Sequence, residues 1–533
     1  YEIGVRLVGS EMCIRDRPTL NGEVIFYSPS IVRIVKYPSA EMPEKKSYPV
    51  IKTPEKVEIS YKQNGNTVCM TSGKMTVTLD VVTGKVTYTD LKGETLLKEK
   101  VEGTNFIPRK DVNRDAFTVS QAFSLEPEEA IYGLGQRQSG TMNHRNQQVH
   151  LSNVNTNICI PYFTSEKGYG VYWDNPGISD FSDTPYETSF SSQVGLCSDY
   201  YFLYEDGTQD GVIACLRDLT GKATMFPLWT MGYWQCRERY KSPDELCGVL
   251  DKYRELKVPI DGIVQDWQYW GHNYLWNAMD FQNPTFSRPK DMIDEVHALN
   301  ARMMISIWSS FGPATKPYRA LDKEGLLFDI ETWPQSGVDG WPPNMEYPSG
   351  VRVYDAYSPK ARDIYWEHLN KGIFQLGMDG WWMDSTEPDH FNHKESDFDR
   401  QTSLGSYRSV RNAYPLVSVG GVYDHQRALT QDKRVIILTR SGFLGQQRYG
   451  SNVWSGDVQS SWDMFRKQIT AGLNFSLTGM PHWNSDLGGF FAGSYNTSWG
   501  DNSATRNPMY QELYVRWLQF GVFCPMMRSH GAD

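Results

Sequence analysis

No apolar run in this 533-residue chain reaches the roughly 18 residues that a membrane-spanning helix needs. A basic stretch is missing too. Lys and Arg total 53 against 63 Asp and Glu, giving a net charge of −10, so nucleic acid lacks its electrostatic footprint and is set aside as a partner. The eight cysteines (Cys13, Cys69, Cys159, Cys197, Cys215, Cys236, Cys247, Cys524) never form a CxxC pair, which argues against a zinc ribbon and a dense disulfide framework. No HExxH occurs, which counts against a metal site, and no glycine-rich phosphate loop opens a helix-like segment, which counts against a doubly wound nucleotide-binding sheet. Aromatics, by contrast, are plentiful at 13%, with 17 Trp and 31 Tyr. Such rings pack cores, and they also stack on the faces of sugars.

The length exceeds one compact core and implies two or three domains. Residues 1–17 have no period and read like a translated sequencing adapter, so they are set apart from the fold. Residues 18–225 read as β structure. Met75, Val77, Leu79 and Val81 alternate with polar residues, and Thr83-Gly84 turns the chain into Val86 and Tyr88. Recurrent turns (Asn64-Gly65, Lys92-Gly93, Asp206-Gly207) and few helical periods make an antiparallel β-sandwich the natural reading.

After Pro227 short apolar strands alternate with amphipathic helices. Strands are expected at 262–266, 302–307, 380–384, 434–439 and 480–484. Helices are expected through Met292, Val296 and Leu299; through Phe465, Ile469, Leu473 and Leu477; and through Leu513, Trp517 and Phe520. This rhythm over 226–533 predicts a (β/α)8 barrel, with a doubly wound open sheet as the alternative. The abrupt close MMRSHGAD leads us to expect a barrel without its last helix.

A barrel places its functional groups where strands end. Asp266 closes DGIVQD, Asp384 closes DGWWMD, Arg440 follows RVIILT and Asp457 closes SNVWSGD. Asp486 follows PHWNS, and Arg528 and His530 follow CPMM. Any one such residue is equally a helix cap, the role expected of Ser385 and Ser460; several at separate strand ends are not. Carboxylates, an arginine and a histidine in an aromatic-walled pocket suit glycoside hydrolysis, which uses two carboxyl groups in different protonation states. The nucleophile wants a cation or donors nearby, a part suited to Arg440, and the acid wants apolar or anionic surroundings, a part suited to Trp454.

Two segments resemble glycoside hydrolase family 31: DGWWMDSTEPD (379–389), like its nucleophile segment, and SNVWSGDVQSSW (451–462), like its acid/base segment. IYGLGQR, PLWTMGYWQCR, NSDLGGFF and MMRSHG extend the likeness over nearly all of the chain after Leu125. The resemblance implies a (β/α)8 barrel preceded by a galactose-mutarotase-like sandwich, acting with retention on α-glycosides without metal or cofactor. Asp384 is then the nucleophile and Asp457 the acid/base, with carboxyls about 5–5.5 Å apart. Asp266, Arg440 and His530 match sugar-hydroxyl contacts, Trp454 an aromatic wall, and Asp486 and Arg528 further motif positions. Glu387 supports the nucleophile loop. QDWQYWG (265–271), Trp308 in ISIWSSFG, and STEPDH…HKESDFD resemble bacterial α-xylosidases acting on xyloglucan oligosaccharides, with Trp308 as a filter against a larger C5 substituent. That likeness implies an oligosaccharide substrate and a periplasmic or secreted setting. Glucosidase or transglycosylase action, lyase action, a sugar-binding role without turnover, and a metal site at Asp384, Glu387, Asp389, His390, His393 and Glu395 are the rival readings.

Overall fold

The computed structural model describes residues 2–6, 20–330, 332–338, 342–390 and 393–532. The first half is a pair of antiparallel sheets, one of seven strands and one of nine. The alternation at Met75, Val77 and Leu79 builds the strand Met75–Asp80 with those side chains buried. Asp80 then accepts hydrogen bonds from the N–H groups of Val82 and Thr83, and the chain returns as Val86–Asp90 with Leu79 opposite Val86. Between the sheets lies a core that includes Val32, Val77, Tyr88, Phe190 and Phe202. Glu2–Arg6 pairs with Asn21–Ser28 as an edge strand, although its sequence shows no period; residues 7–17 lie outside the described residues.

One helix interrupts this β half. Gln209–Thr220 starts at Thr208, whose side chain accepts from the Gly211 N–H, as an N-cap should. Its buried Val212, Leu216 and Leu219 join sandwich residues Ile158, Ile160 and Tyr162 and barrel-side residues Leu444, Val453, Phe475 and Trp483 in one apolar cluster. That shared core seats the sandwich on the second half.

The second half is a barrel of eight parallel strands, here numbered β1 (Tyr233–Gln235), β2 (Gly262–Gln265), β3 (Arg302–Trp308), β4 (Gly380–Asp384), β5 (Ile437–Thr439), β6 (Ser451–Trp454), β7 (Trp483–Asn484) and β8 (Met527–Ser529). β8 pairs with β1, and the Leu487 N–H donates to the Arg528 carbonyl at 3.0 Å, tying the β7 loop to β8. The open-sheet alternative is thereby overturned. Sequence reading finds β4 to the residue, but it does not propose β1, β6 or β8 as strands, each only three or four residues long. The three expected helices are Pro289–Ala298, Trp462–Leu477 and Pro508–Gly521. Two expected caps are corrected. Ser461, not Ser460, caps Trp462–Leu477, because its side chain reaches the Met464 N–H; Ser385 starts no helix and instead accepts weakly from the Asp389 N–H within a turn.

Strand periodicity sorts the barrel side chains. Ile263, Met303, Ile305, Trp381, Met383 and Ile437 face the helices, whereas Trp234, Val264, Met304, Trp382, Leu438 and Trp454 fill the barrel interior.

Candidate active site

The inward parity of Val264, Met304, Trp382 and Leu438 runs two or four residues further to Asp266, Trp308, Asp384 and Arg440. All four are buried at the C-terminal mouth of the barrel. Trp308 stands in register opposite Asp384 across β3 and β4. Just past β4 the chain takes a sharp turn: Ser385 adopts φ 48°, a strained conformation for a non-glycine residue. That turn brings its N–H to within 2.7 Å of Asp384 Oδ1, while its carbonyl accepts from Ser309 Oγ at 2.7 Å.

Arg440 is the hub of the mouth. Only 4% of its side chain is exposed, and four carboxylates surround it. Nε donates to Glu387 Oε1 at 2.6 Å and lies 3.6 Å from Asp384 Oδ1; Nη2 donates to Asp389 Oδ2 at 2.7 Å; Nη1 donates to Asp457 Oδ2 at 3.2 Å. One cation does not balance four anions, and the two buried members of the set, Asp384 and Glu387, hold protons more tightly than free carboxyls do. Burial pushes Asp384 up to about 7, against the pull of Arg440, with Asp457 and Glu387 adding to the rise. Burial also raises Glu387. Removing the guanidinium from such a cluster typically costs about 3–5 kcal/mol.

Asp457 sits three residues past β6 in a loop, with 22% of its side chain exposed. Its neighbours are donors rather than apolar groups: Arg440, and Asn155 Nδ2 at 2.8 Å. The expected aromatic wall lies elsewhere. Trp454, the last inward residue of β6, is buried edge-on against Trp382 at 5.6 Å, with the Arg528 guanidinium 5.0 Å from its ring. It forms part of the floor of the mouth because a strand residue points into the barrel, whereas a loop residue rises above it.

The remaining expected residues gather on the same floor. Arg528 Nε and Nη2 donate to Asp486 Oδ1 at 3.0 and 2.6 Å, and both side chains are 0% exposed. Arg528 Nη1 and Asp486 Oδ2 are left without partners. Burial, with Asp384 close by, pushes Asp266 well above the usual carboxylate range; its Oδ1 accepts from the Trp267 N–H at 2.8 Å. His530 packs edge-on to Trp382 at 5.0 Å, and burial beside Arg528 holds it neutral. Trp308 meets Trp276 edge-on at 4.8 Å. Unpaired buried polar atoms are rare in native proteins, and several converging on one floor suit a polyhydroxylated ligand.

Sequence reasoning names Asp389 only under the rival metal reading and does not name Asn155 at all. Asp389 lies inside the quoted nucleophile segment, two residues past Glu387, and that second acid was the available signal. The carboxylates at 384, 387 and 389 all turn toward Arg440, and among the described residues no cluster of His, Cys, Asp and Glu is arranged to hold a metal. A cavity of about 350 Å³ lies beside the β1 and β2 ends rather than over the acidic pair, lined by Glu238, Arg239, Trp267, Gln268, Asn273 and Trp333 among others. Arg239 stacks 4.1 Å above the Trp267 ring.

With this geometry in hand, the chain can be compared with known proteins. Residues 223–533 match the glycosyl hydrolases family 31 TIM-barrel domain, and residues 22–181 match the glycosyl hydrolase 31 N-terminal galactose mutarotase-like domain. The chain is 36% identical over 527 residues to an α-xylosidase of Saccharolobus solfataricus, covering 96% of this chain and 67% of that protein. Against α-xylosidase A of Aspergillus niger the identity is 29%, covering 88% and 66%. The crystal structure of a GH31 α-xylosidase from Xanthomonas citri superposes with a TM-score of 0.91 at 28% identity, over 99% of this chain and 73% of that one. The chain thus spans about two thirds to three quarters of the length of these relatives.

Proposed function

This chain belongs to glycoside hydrolase family 31, and from that premise we propose that it is a retaining, exo-acting α-glycosidase releasing terminal α-linked xylose from an oligosaccharide. The observation that carries the reading is the sharing of one buried guanidinium by two carboxylates, Asp384 and Asp457. Asp384 attacks the anomeric carbon while Asp457 gives its proton to the departing glycosidic oxygen, leaving a glycosyl ester on Asp384. Asp457, now ionised, takes a proton from water, the water attacks the same carbon, and the sugar leaves with its configuration retained.

Arg440 suits both half-reactions. In the first, negative charge disappears at Asp384, beside Nε, and appears at Asp457, beside Nη1. The charge around the guanidinium is unchanged, so the buried cation is never left uncompensated. In the ligand-free site burial pushes Asp384 up to about 7, so this carboxyl can carry a proton near neutral pH. The reactive arrangement has Asp384 ionised and the proton on Asp457, and positive charge growing at the anomeric carbon favours the ionised Asp384. Because the reactive form holds one proton over the pair, kcat/KM should fall as pH rises past about 7.

The likeness to proteins named α-xylosidase supports xylose as the released sugar, as does a bulky Trp308 in register with Asp384. The cavity walled by Trp267 and Trp333 offers stacking faces for further sugars of an oligosaccharide. The test is a panel of aryl α-xyloside, aryl α-glucoside, isoprimeverose, maltose and isomaltose. Xylosides should turn over fastest, and Asp384→Ala should abolish turnover. Trp308→Leu should shift the xyloside-to-glucoside ratio of kcat/KM toward glucosides by about 10-fold or more, since a misfit group of that size is worth about 1–3 kcal/mol. Equal rates for Asp384→Ala and the parent would defeat the enzymatic assignment to Asp384; faster glucoside turnover would move the substrate to glucose, consistent with relatives named α-glucosidase.

A further inference from the structure

The loop between the strands Gln148–Leu151 and Ile158–Ser165 belongs to the sandwich, yet its tip rests on the barrel segment that carries Asp457. Several contacts fix it there. Asn153 donates to the carbonyls of Asn412 and Gly442, and Arg411 donates to the Asn153 carbonyl at 2.6 Å. Gln136 Nε2 bridges the carbonyls of Thr156 (2.8 Å) and Ser455 (3.1 Å), while its Oε1 accepts from Trp483 Nε1 at 2.7 Å. Gly456 makes room for the tip: a Cβ there would sit 2.6 Å from Asn155 Oδ1 and 2.7 Å from the Thr156 nitrogen.

Held in this way, the Asn155 side chain grips Asp457 twice. Its Nδ2 donates to Asp457 Oδ2 at 2.8 Å, and its Oδ1 accepts from the Asp457 N–H at 3.1 Å. We infer that Asn155 is a positioning residue supplied by the sandwich domain, orienting the acid/base carboxyl so that its proton is carried on Oδ1 toward the leaving group. The inference rests on the reading of Asp457 as acid/base given above.

The argument is one of lone pairs. Asp457 Oδ2 already takes two donors, Asn155 Nδ2 and Arg440 Nη1, and a proton placed on it would meet both. Oδ1 accepts no hydrogen bond from the described residues, and the side chain is 22% exposed, so Oδ1 is the oxygen that can hold a proton and present it. The second bond fixes the backbone of the same residue, which keeps the carboxyl from rotating. A clasp serving only to join the two domains would not need to engage the carboxylate, because Gln136 and Asn153 already join them through backbone carbonyls.

The charged groups acting on Asp457 are Arg440, in contact, and Asp384 and Asp486, through space. Replacing the Asn155 donor removes support for the ionised form, and replacing it with a carboxylate opposes that form outright. The experiment measures kcat/KM of the full chain for aryl α-xylosides of graded leaving-group ability, and its pH profile on one of them, for the parent, Asn155→Ala, Asn155→Asp and Asp457→Ala. The Asp variant preserves shape, and far-UV circular dichroism and Tm identify a variant that has merely misfolded. Both Asn155 variants should lose about 10-fold or more on poor leaving groups and little on activated ones, a part of the roughly 10²–10⁴ that general acid catalysis contributes. The alkaline limb should move to higher pH, further for Asn155→Asp. A parental leaving-group dependence and an unmoved limb in Asn155→Asp, while Asp457→Ala shows a leaving-group-dependent loss, would overturn the role of Asn155 alone. An even loss across leaving groups in Asp457→Ala would overturn the acid/base reading itself.

Discussion

Arg440 holds four carboxylates, two of them buried and two part-exposed, and the site lives with an excess of negative charge that folding alone would not select. The consequence is a measurable dependence of stability on pH. Asp384 has an ordinary affinity for protons in the unfolded chain, with a pKa near 3.9, and burial raises it to about 7 in the folded one. Between those values the folded state holds a proton that the unfolded state has lost. Stability therefore falls as pH rises through this window and stays lower above it. Asp384→Asn abolishes the titration. Its Tm relative to the parent should be higher at pH 8 than at pH 5, corresponding to a few kcal/mol at most; a Tm difference independent of pH would contradict the burial account. At this scale the sequence was partly legible. DGWWMD ends an apolar strand on an acid, which marks Asp384, and RVIILT ends on Arg440 in the same way. The four-fold convergence on Arg440 was not legible, because it depends on three loops meeting in space.

Strands and loops carry the next part of the account. An inward parity set by Val264, Met304, Trp382 and Leu438 delivers Asp266, Trp308, Asp384 and Arg440 to one mouth, and that parity can be read from any strand long enough to show it. β1, β6 and β8 were not proposed as strands even where their end residues were identified, although β5 and β7, which are no longer, were. Asn155 gave no signal at all: SNVNTN reads as a polar turn, and the partner of its side chain lies 302 positions away. The fit of that turn against β6 yields a second test. Gly456 has φ +82° and no space for a Cβ. Gly456→Ala should lower stability by about 1–3 kcal/mol and push the 151–157 loop away from Asp457, reducing kcat/KM on poor leaving groups in the manner of the Asn155 variants. Parental activity together with parental Tm would show that the close approach is immaterial.

At the scale of the whole molecule, sandwich and barrel share an apolar core through the helix Gln209–Thr220, with Leu216 and Leu219 packed in one cluster with Val453, Phe475 and Trp483. The barrel brings Asp384 and Asp457 to one arginine, and a sandwich loop reaches across to hydrogen-bond Asp457, so both halves contribute contacts to the proposed acid/base. Length, rhythm and the change after Pro227 made this two-part architecture readable in advance; the reach of the sandwich loop into the mouth was not, since it is a property of how the parts dock. The claim beneath all of this is that Asp384 and Asp457 divide the work of one double displacement. Its most direct test is mass spectrometry of the protein after reaction with a fluorinated α-xylosyl donor that forms the glycosyl ester quickly and hydrolyses it slowly. The account predicts one pentosyl unit joined to the peptide bearing Asp384, accumulating in step with loss of activity. Inactivation with the adduct on another residue, or turnover of the natural bond that yields the inverted anomer first, would contradict it.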